Sequence, residues 1–170
     1  MTQSAPLPLL TVVDGKTFRL RQAAKEDLPA IVALLKDDAL GSGRETSADL
    51  APYEQAFQAV DADPCHLLVV AELLPAGAEF GLVIATFQLS FLPGLSRKGS
   101  WRSQVEGVRV SSKHRGHGLG NLMMGWAIDE SRRRGCALVQ LTTDKSRTDA
   151  HRFYQRLGFE ASHEGMKLIL

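Results

Sequence analysis

Residues 105–124 read V-E-G-V-R-V-S-S-K-H-R-G-H-G-L-G-N-L-M-M, and they constrain the fold more than any other stretch of the chain. An apolar strand runs through a glycine-rich turn directly into an amphipathic helix. Glycines at 116, 118 and 120 let a backbone take positive φ and approach a ligand with no side chain in the way. The unpaired N–H groups of the first helical turn, with the partial positive charge at that helix end, favour a phosphate or pyrophosphate. The stretch is therefore expected to be a phosphate cradle built at a strand-to-helix junction.

What the loop lacks narrows the ligand. A Walker loop needs Lys and then Ser or Thr after its last glycine, and Asn121 and Leu122 stand there instead. ATP and GTP are disfavoured. A dinucleotide fingerprint spaces its glycines G-x-G-x-x-G, whereas G-H-G-L-G is spaced two and two, so NAD is disfavoured as well.

Periodicity sets the frame around this junction. Residues 17–22 alternate as a half-buried strand, and a helix starts at Asp27 with Leu28, Ile31, Leu34 and Leu35 on one face and Gly41 just past its end. A second helix is expected over 52–62, then a hairpin of strands 66–74 and 79–92 about P-A-G-A, and a third meander strand over 101–110. Leu119, Leu122, Met123, Trp126 and Ala127 recur at helical spacing, giving the crossover helix one apolar stripe. Arg132, Arg133 and Arg134 end that helix before Gly135, placing cations at its negative end. A strand over 137–142, a helix over 149–157 and a terminal strand over 166–170 complete the order. The result is an α/β fold with a central mixed, strongly twisted sheet flanked by helices.

Composition removes several classes. The 170 residues, 44% of them apolar, suit a single domain over 16–170, with 1–15 as an arm or with residues 9–13 packed as an extra strand. Twenty Lys and Arg against nineteen Asp and Glu give no global attraction to nucleic acid or to an anionic membrane. No apolar run reaches the ~20 residues of a membrane span, and Pro6 and Pro8 interrupt a start that has no basic region. Two cysteines, Cys65 and Cys136, read as free thiols in a reducing compartment, so the expected location is the cytoplasm. A homodimer is the default oligomer.

Two blocks carry a family resemblance. R-G-H-G-L-G, residues 115–120, resembles the Arg/Gln-x-x-Gly-x-Gly/Ala signature of the GNAT superfamily of N-acetyltransferases, and A-H-R-F-Y-Q-R-L-G-F, residues 150–159, resembles that family's A-x-x-F/L-Y-x-x-x-G-F helix and turn. The resemblance covers residues 79–170 closely and implies the GNAT (acyl-CoA N-acyltransferase) fold with acetyl-CoA as cosubstrate. It further implies that the loop amides of Arg115, Gly116, His117, Gly118, Leu119, Gly120 and Asn121 hold the CoA pyrophosphate. The main chain of Val108, Arg109 and Val110 would pair with the pantetheine arm like an added strand. By spacing alone Tyr154 is a core aromatic; the resemblance instead makes its hydroxyl the acid for the departing thiolate. The family's Asn three residues before the motif alanine is replaced by Arg147, which departs from the pattern.

Strict alternation places Glu106, Val108 and Val110 on one side of their strand and Val105, Gly107 and Arg109 on the other. A carboxylate sharing a face with two valines suits either a base beside apolar surface or a structural ion pair, and many GNAT enzymes carry such a carboxylate on this strand. His114, His117 and His151 lack zinc-site spacing, so no metal is expected. The expected activity is direct acetyl transfer to the primary amine of a small molecule. Transfer to a protein or peptide amine and a non-catalytic acyl-CoA sensor are the alternatives. The resemblance implies that the loop over 41–49 helps form the acceptor site; by its residues alone it is a surface connection.

Overall fold

Alternation across Lys16–Gln22 buries Phe18 and Leu20 and leaves Arg19 and Arg21 on the other face, and that pattern anchors the sheet. A computed structural model describes residues 7–37, 43, 45 and 48–169. The elements are β1 (Leu9–Val13), β2 (Lys16–Gln22), α1 (Leu28–Lys36), α2 (Ala51–Ala62), β3 (His66–Leu74), β4 (Leu82–Leu92), α3 (Ser96–Gly99), β5 (Trp101–Val110), α4 (Leu119–Arg133), β6 (Cys136–Leu141) and α5 (Thr148–Arg156). The strands form one curled, mixed sheet in the order β1-β2-β3-β4-β5-β6. The first five pair antiparallel in sequence, and α4 is the crossover that a return to β6 requires. Arg97 and Lys98 within α3 sit at φ of 53° and 59°, so that segment is a left-handed turn.

The chain divides into two compact units, 1–140 and 141–170. In the first, directly opposed residues of the antiparallel pairs share a face. Leu20 with Ala71, Val69 with Phe87, and Leu89 with Val105 form one apolar face. Helix α4 packs there, with Trp126 6.1 Å from Phe87 and Ser131 Oγ 2.7 Å from Ser103 Oγ. The other face holds Val70 and Leu68 under Ile31 and Leu35 of α1 and Phe57 of α2. On that face Glu72, 3% exposed, accepts from Arg19 and Arg21, and Arg21 also binds Asp27 through both Nη atoms. Burial pushes the Asp27 carboxyl up, but the Arg21 hydrogen bonds, the Ala24 amide and the Arg21 charge outweigh it, and its pKa lies below the ordinary value.

In the second unit α5 ends where Gly158 takes φ of +88° and the amides of Gly158 and Phe159 turn back to Gln155 O and Tyr154 O. One open alternative closes and one expectation fails. Leu9–Val13 is the extra strand of the sheet, paired with β2. No strand forms over 166–169: Met166, Leu168 and Ile169 are 96%, 87% and 95% exposed. An alternating apolar pattern states what a segment can pair with, and it becomes a strand only where a neighbouring edge accepts it. Among the described residues no helix is long and apolar enough to cross a membrane.

Candidate active site

The β4–β5 ladder is broken at one point. Glu106 opposes Gln88 and Arg109 opposes Thr86, so Gly107 and Val108 together face the single residue between those partners. This is a β-bulge, made possible by Gly107 at φ of +60°. Thr86 and Gln88 are two apart and share a face, hence Glu106 and Arg109 share it too. The bulge overturns the strict alternation expected from sequence, which had set Arg109 opposite Glu106 and grouped Glu106 with Val108 and Val110. Val110 opposes Ala85 and lies on the α4 side. Glu106 is exposed and its neighbour across the ladder is an amide side chain, so the apolar bed expected for it is absent. The main chain of 107–108 leaves the regular ladder, which is what a strand needs if it is to pair with a ligand instead.

Beyond β5 the chain makes a short turn over Ser112–His114 and reaches the glycine loop. Gly116 and Gly118 take φ of +85° and +77°, as expected. Gly120 does not: it lies in the first turn of α4 with helical backbone, so its place in the motif owes nothing to positive φ. Gly118 is the N-cap, and the first helical bond runs from Leu122 N to Gly118 O at 3.1 Å. The amides of Leu119, Gly120 and Asn121 therefore precede the helical ladder, and among the described residues no side-chain cap bonds to them. Leu119 is 1% exposed, so its side chain is core and only its amide belongs to the cradle.

The loop is braced from elements far away in sequence. Arg115 Nε donates to Val110 O and its Nη2 to Asp37 O, both at 3.0 Å. Its guanidinium is thus turned back onto the fold, not out over the loop mouth. Asp37, just past α1, accepts from the Ser112 amide at 2.7 Å, and His117 Nδ1 lies 2.9 Å from Asp14 Oδ2 in the β1–β2 turn. The Ser112 amide, followed by the Ser112 hydroxyl and the charges of Arg115 and Lys113, holds the Asp37 carboxyl below its ordinary value. A depressed carboxylate supports structure above its unfolded pKa and loses that effect as pH falls through the folded value. The Ser112 tether is expected to be complete at neutral pH and to open only below about pH 4, read as a shift of the Ser112 amide resonance. Asp37→Ala is expected to remove that titration and weaken CoA binding by less than about tenfold, as an exposed brace would.

Comparison with known proteins gives the chain a family. The family model described as Acetyltransferase (GNAT) family matches residues 28–159. The chain belongs to the acetyltransferase (GNAT) family. A transcriptional regulator from Bacillus halodurans C-125, known from its crystal structure, is 41% identical with a TM-score of 0.83, over 90% of this chain and 99% of that one. The aminoalkylphosphonate N-acetyltransferase of Salmonella typhimurium (strain LT2) is 28% identical over 144 residues, covering 85% of this chain and 86% of that protein. The glucosamine 6-phosphate N-acetyltransferase of Trypanosoma brucei brucei is 31% identical over 90 residues, or 53% and 59% of the two chains.

As a GNAT protein the chain is an N-acetyltransferase. Its motif residues divide between the two units. Glu106, Val108, Arg109, Val110 and the loop from Arg115 to Asn121 lie in the first. Tyr154 lies in the second, edge-on to Phe153 at 5.1 Å and to Phe159 at 5.9 Å. There His151 Nε2 is 3.0 Å from Asp144 O. Cys136 is half-buried at the start of β6, and burial raises its thiol pKa against a smaller opposing effect of Arg134, which makes it a poor nucleophile. The run of three arginines is engaged locally: Arg132 with Asp129, Arg133 and Arg134 with Glu130. Most of the acceptor loop expected over 41–49 lies outside the described residues. Sequence reasoning missed the braces Asp14 and Asp37, which have no local signal. It also missed the bulge, although a glycine inside a strand pattern is the usual sign of one.

Proposed function

We propose that this chain moves an acetyl group from acetyl-CoA directly to the primary amine of a small molecule, both substrates being bound together. The observation that carries the reading is the open run of amides at residues 119–121 behind a left-handed glycine, which suits a pyrophosphate. The main chain freed at residues 107–108 suits the pantetheine arm, and an amide near Val108 would meet the oxygen that gains charge as the amine attacks. Glu106 takes the proton released from the attacking amine, directly or through water; its exposed place on β5 supports that role. Tyr154, by its motif position, gives a proton to the sulfur as the carbon–sulfur bond breaks. Small-molecule acceptors are what the two named acetyltransferase relatives act on. The half-buried reduced cysteines fit a cytoplasmic protein, and a homodimer is the simplest assembly.

The test is a titration with CoA and acetyl-CoA, followed by release of free CoA thiol against a panel of amines. Affinity for CoA with amine-dependent thiol release is expected. No affinity for either thioester carrier overturns the cradle, and affinity without thiol release overturns the chemistry. Glu106→Ala is expected to lower kcat by roughly 10- to 100-fold, the low end for a general base, because water reaches an exposed site. Added formate should restore part of the loss; a variant that formate does not rescue would give Glu106 a structural role.

A further inference from the structure

We propose that the Arg109 side chain is a positioning residue for acetyl transfer, clamping the Val108 carbonyl so that the bulge presents the Val108 amide to the thioester oxygen. This rests on the acetyl-transfer reading above and adds the group that holds its oxyanion donor in place.

Two bonds give the directions of the main-chain groups. Ser111 N donates to Ile84 O and Phe91 N to Cys65 O, both at 2.8 Å. Main-chain groups alternate sides along a strand, so Ile84, Thr86 and Gln88 turn theirs to β5, and Ala85, Phe87 and Leu89 turn theirs to β3. Thr86 and Gln88 therefore hold Arg109 and Glu106 in the ladder. Phe87, the residue that Gly107 and Val108 face, offers them no main-chain partner.

The ladder thus anchors the peptides at either end of the bulge, one through Glu106 O and the other through Arg109 N–H. In a trans peptide the N–H and C=O point opposite ways, so Val108 O is directed away from β4. Arg109 Nη1 donates to that oxygen at 2.9 Å. The Val108–Arg109 peptide is fixed at both ends, and a charged donor on its carbonyl strengthens the N–H bond opposite. Val110 repeats the arrangement: it opposes Ala85, its carbonyl also points away from β4, and Arg115 Nε donates to it at 3.0 Å.

What the β4 ladder does not hold is the middle peptide, from Gly107 to Val108, whose N–H is the donor assigned above to the thioester oxygen. Gly107, at φ of +60°, restrains that peptide little from its own side. Its direction depends on Val108, and Val108 is held by the clamp on its carbonyl. Arg109 is half-buried with its Nε buried, which limits exchange of the clamp for water.

Arg109→Met and Arg109→Lys test this with acetyl-CoA labelled at the carbonyl carbon. Arg109→Met is expected to lower kcat by about 10- to 100-fold and to change CoA affinity by less than about threefold, because a misplaced donor costs rate and not cofactor binding. Arg109→Lys, which keeps a charged donor, should recover part of the rate. The infrared carbonyl stretch of bound acetyl-CoA is the second readout. It should lie below its solution value in the wild-type protein, return toward that value in Arg109→Met and fall between the two in Arg109→Lys. A structural role alone would lower the melting temperature and leave the stretch at its wild-type position. Unchanged kcat in Arg109→Met overturns the proposal, as does a wild-type stretch in that variant or a loss of CoA affinity in step with the rate. Should Arg109→Met fail to fold, Arg109→Gln takes its place with the same outcomes. Acetyl transfer by the wild-type protein with no lowering of the stretch overturns the proposal without any variant and leaves the transfer reading standing. Absence of acetyl-CoA binding by the wild-type protein is the failure of the transfer reading itself.

Discussion

Gly118→Val is expected to fold and to lose CoA binding by on the order of 10²–10⁴-fold, measured by calorimetry with a thermal melt as the control. The size follows from the bonds at stake. If two amide-to-oxyanion bonds are lost at about 1.5–3 kcal/mol each, the total is roughly 3–6 kcal/mol. Two physical effects act on the variant. Gly118 has φ of +77°, a conformation that costs a residue with a Cβ roughly 1–2 kcal/mol and a β-branched one more. A Cβ there also stands 3.1 Å from Val13 Cγ1, so the β1 side of the loop must give way. Gly116 has the same kind of φ, +85°, but open space around its Cβ position, so Gly116→Ala separates backbone strain from crowding. Should Gly118→Val unfold, the pair Gly118→Ala with Val13→Ala removes the contact and keeps the question. Wild-type affinity in a folded Gly118 variant would mean that the pyrophosphate is not held at this helix end.

The glycine loop was legible because its signal is local. Strand, left-handed turn and helix start occupy consecutive residues, and each is announced by residue type: the alternating valines, Gly116 and Gly118, then the stripe from Leu119 to Ala127. The same holds for the β3–β4 hairpin, where Pro75 to Ala78 form the turn with Gly77 at φ of +74°. What sequence alone did not yield depends on partners distant along the chain. The contacts of Asp14 with His117 and of Asp37 with Ser112 join positions 103 and 75 residues apart. No periodicity reports such a pair. The bulge lies between these cases: Gly107 marks it in the sequence, but only the register against Thr86 and Gln88 shows which side chains it turns over. One extra residue moved Arg109 across the sheet. The terminal run failed in the opposite sense. Met166, Leu168 and Ile169 have the apolar character of a strand, and the pattern does not say which edge, if any, pairs with it.

Tyr154→Phe is expected to lower kcat by ~10²–10³-fold with little change in acetyl-CoA affinity, within the range that general acids contribute. The substitution is mild for the fold. The ring keeps its edge-on contacts with Phe153 and Phe159 at interplanar angles of 64° and 70°, and these contacts join α5 to the Gly158 turn. Only the hydroxyl is lost, so a fall in rate reports on proton delivery and not on packing. The loss should appear in single-turnover experiments, because it acts on carbon–sulfur cleavage and not on product release. Thiolate expulsion without an acid also becomes easier as the leaving thiol becomes more acidic. A CoA analogue whose acetyl thioester releases a more acidic thiol should therefore lose less on Tyr154→Phe than acetyl-CoA does. Equal losses for the two thioesters would assign Tyr154 to positioning, and unchanged turnover would remove it from the reaction, leaving the departing sulfur to be protonated by water.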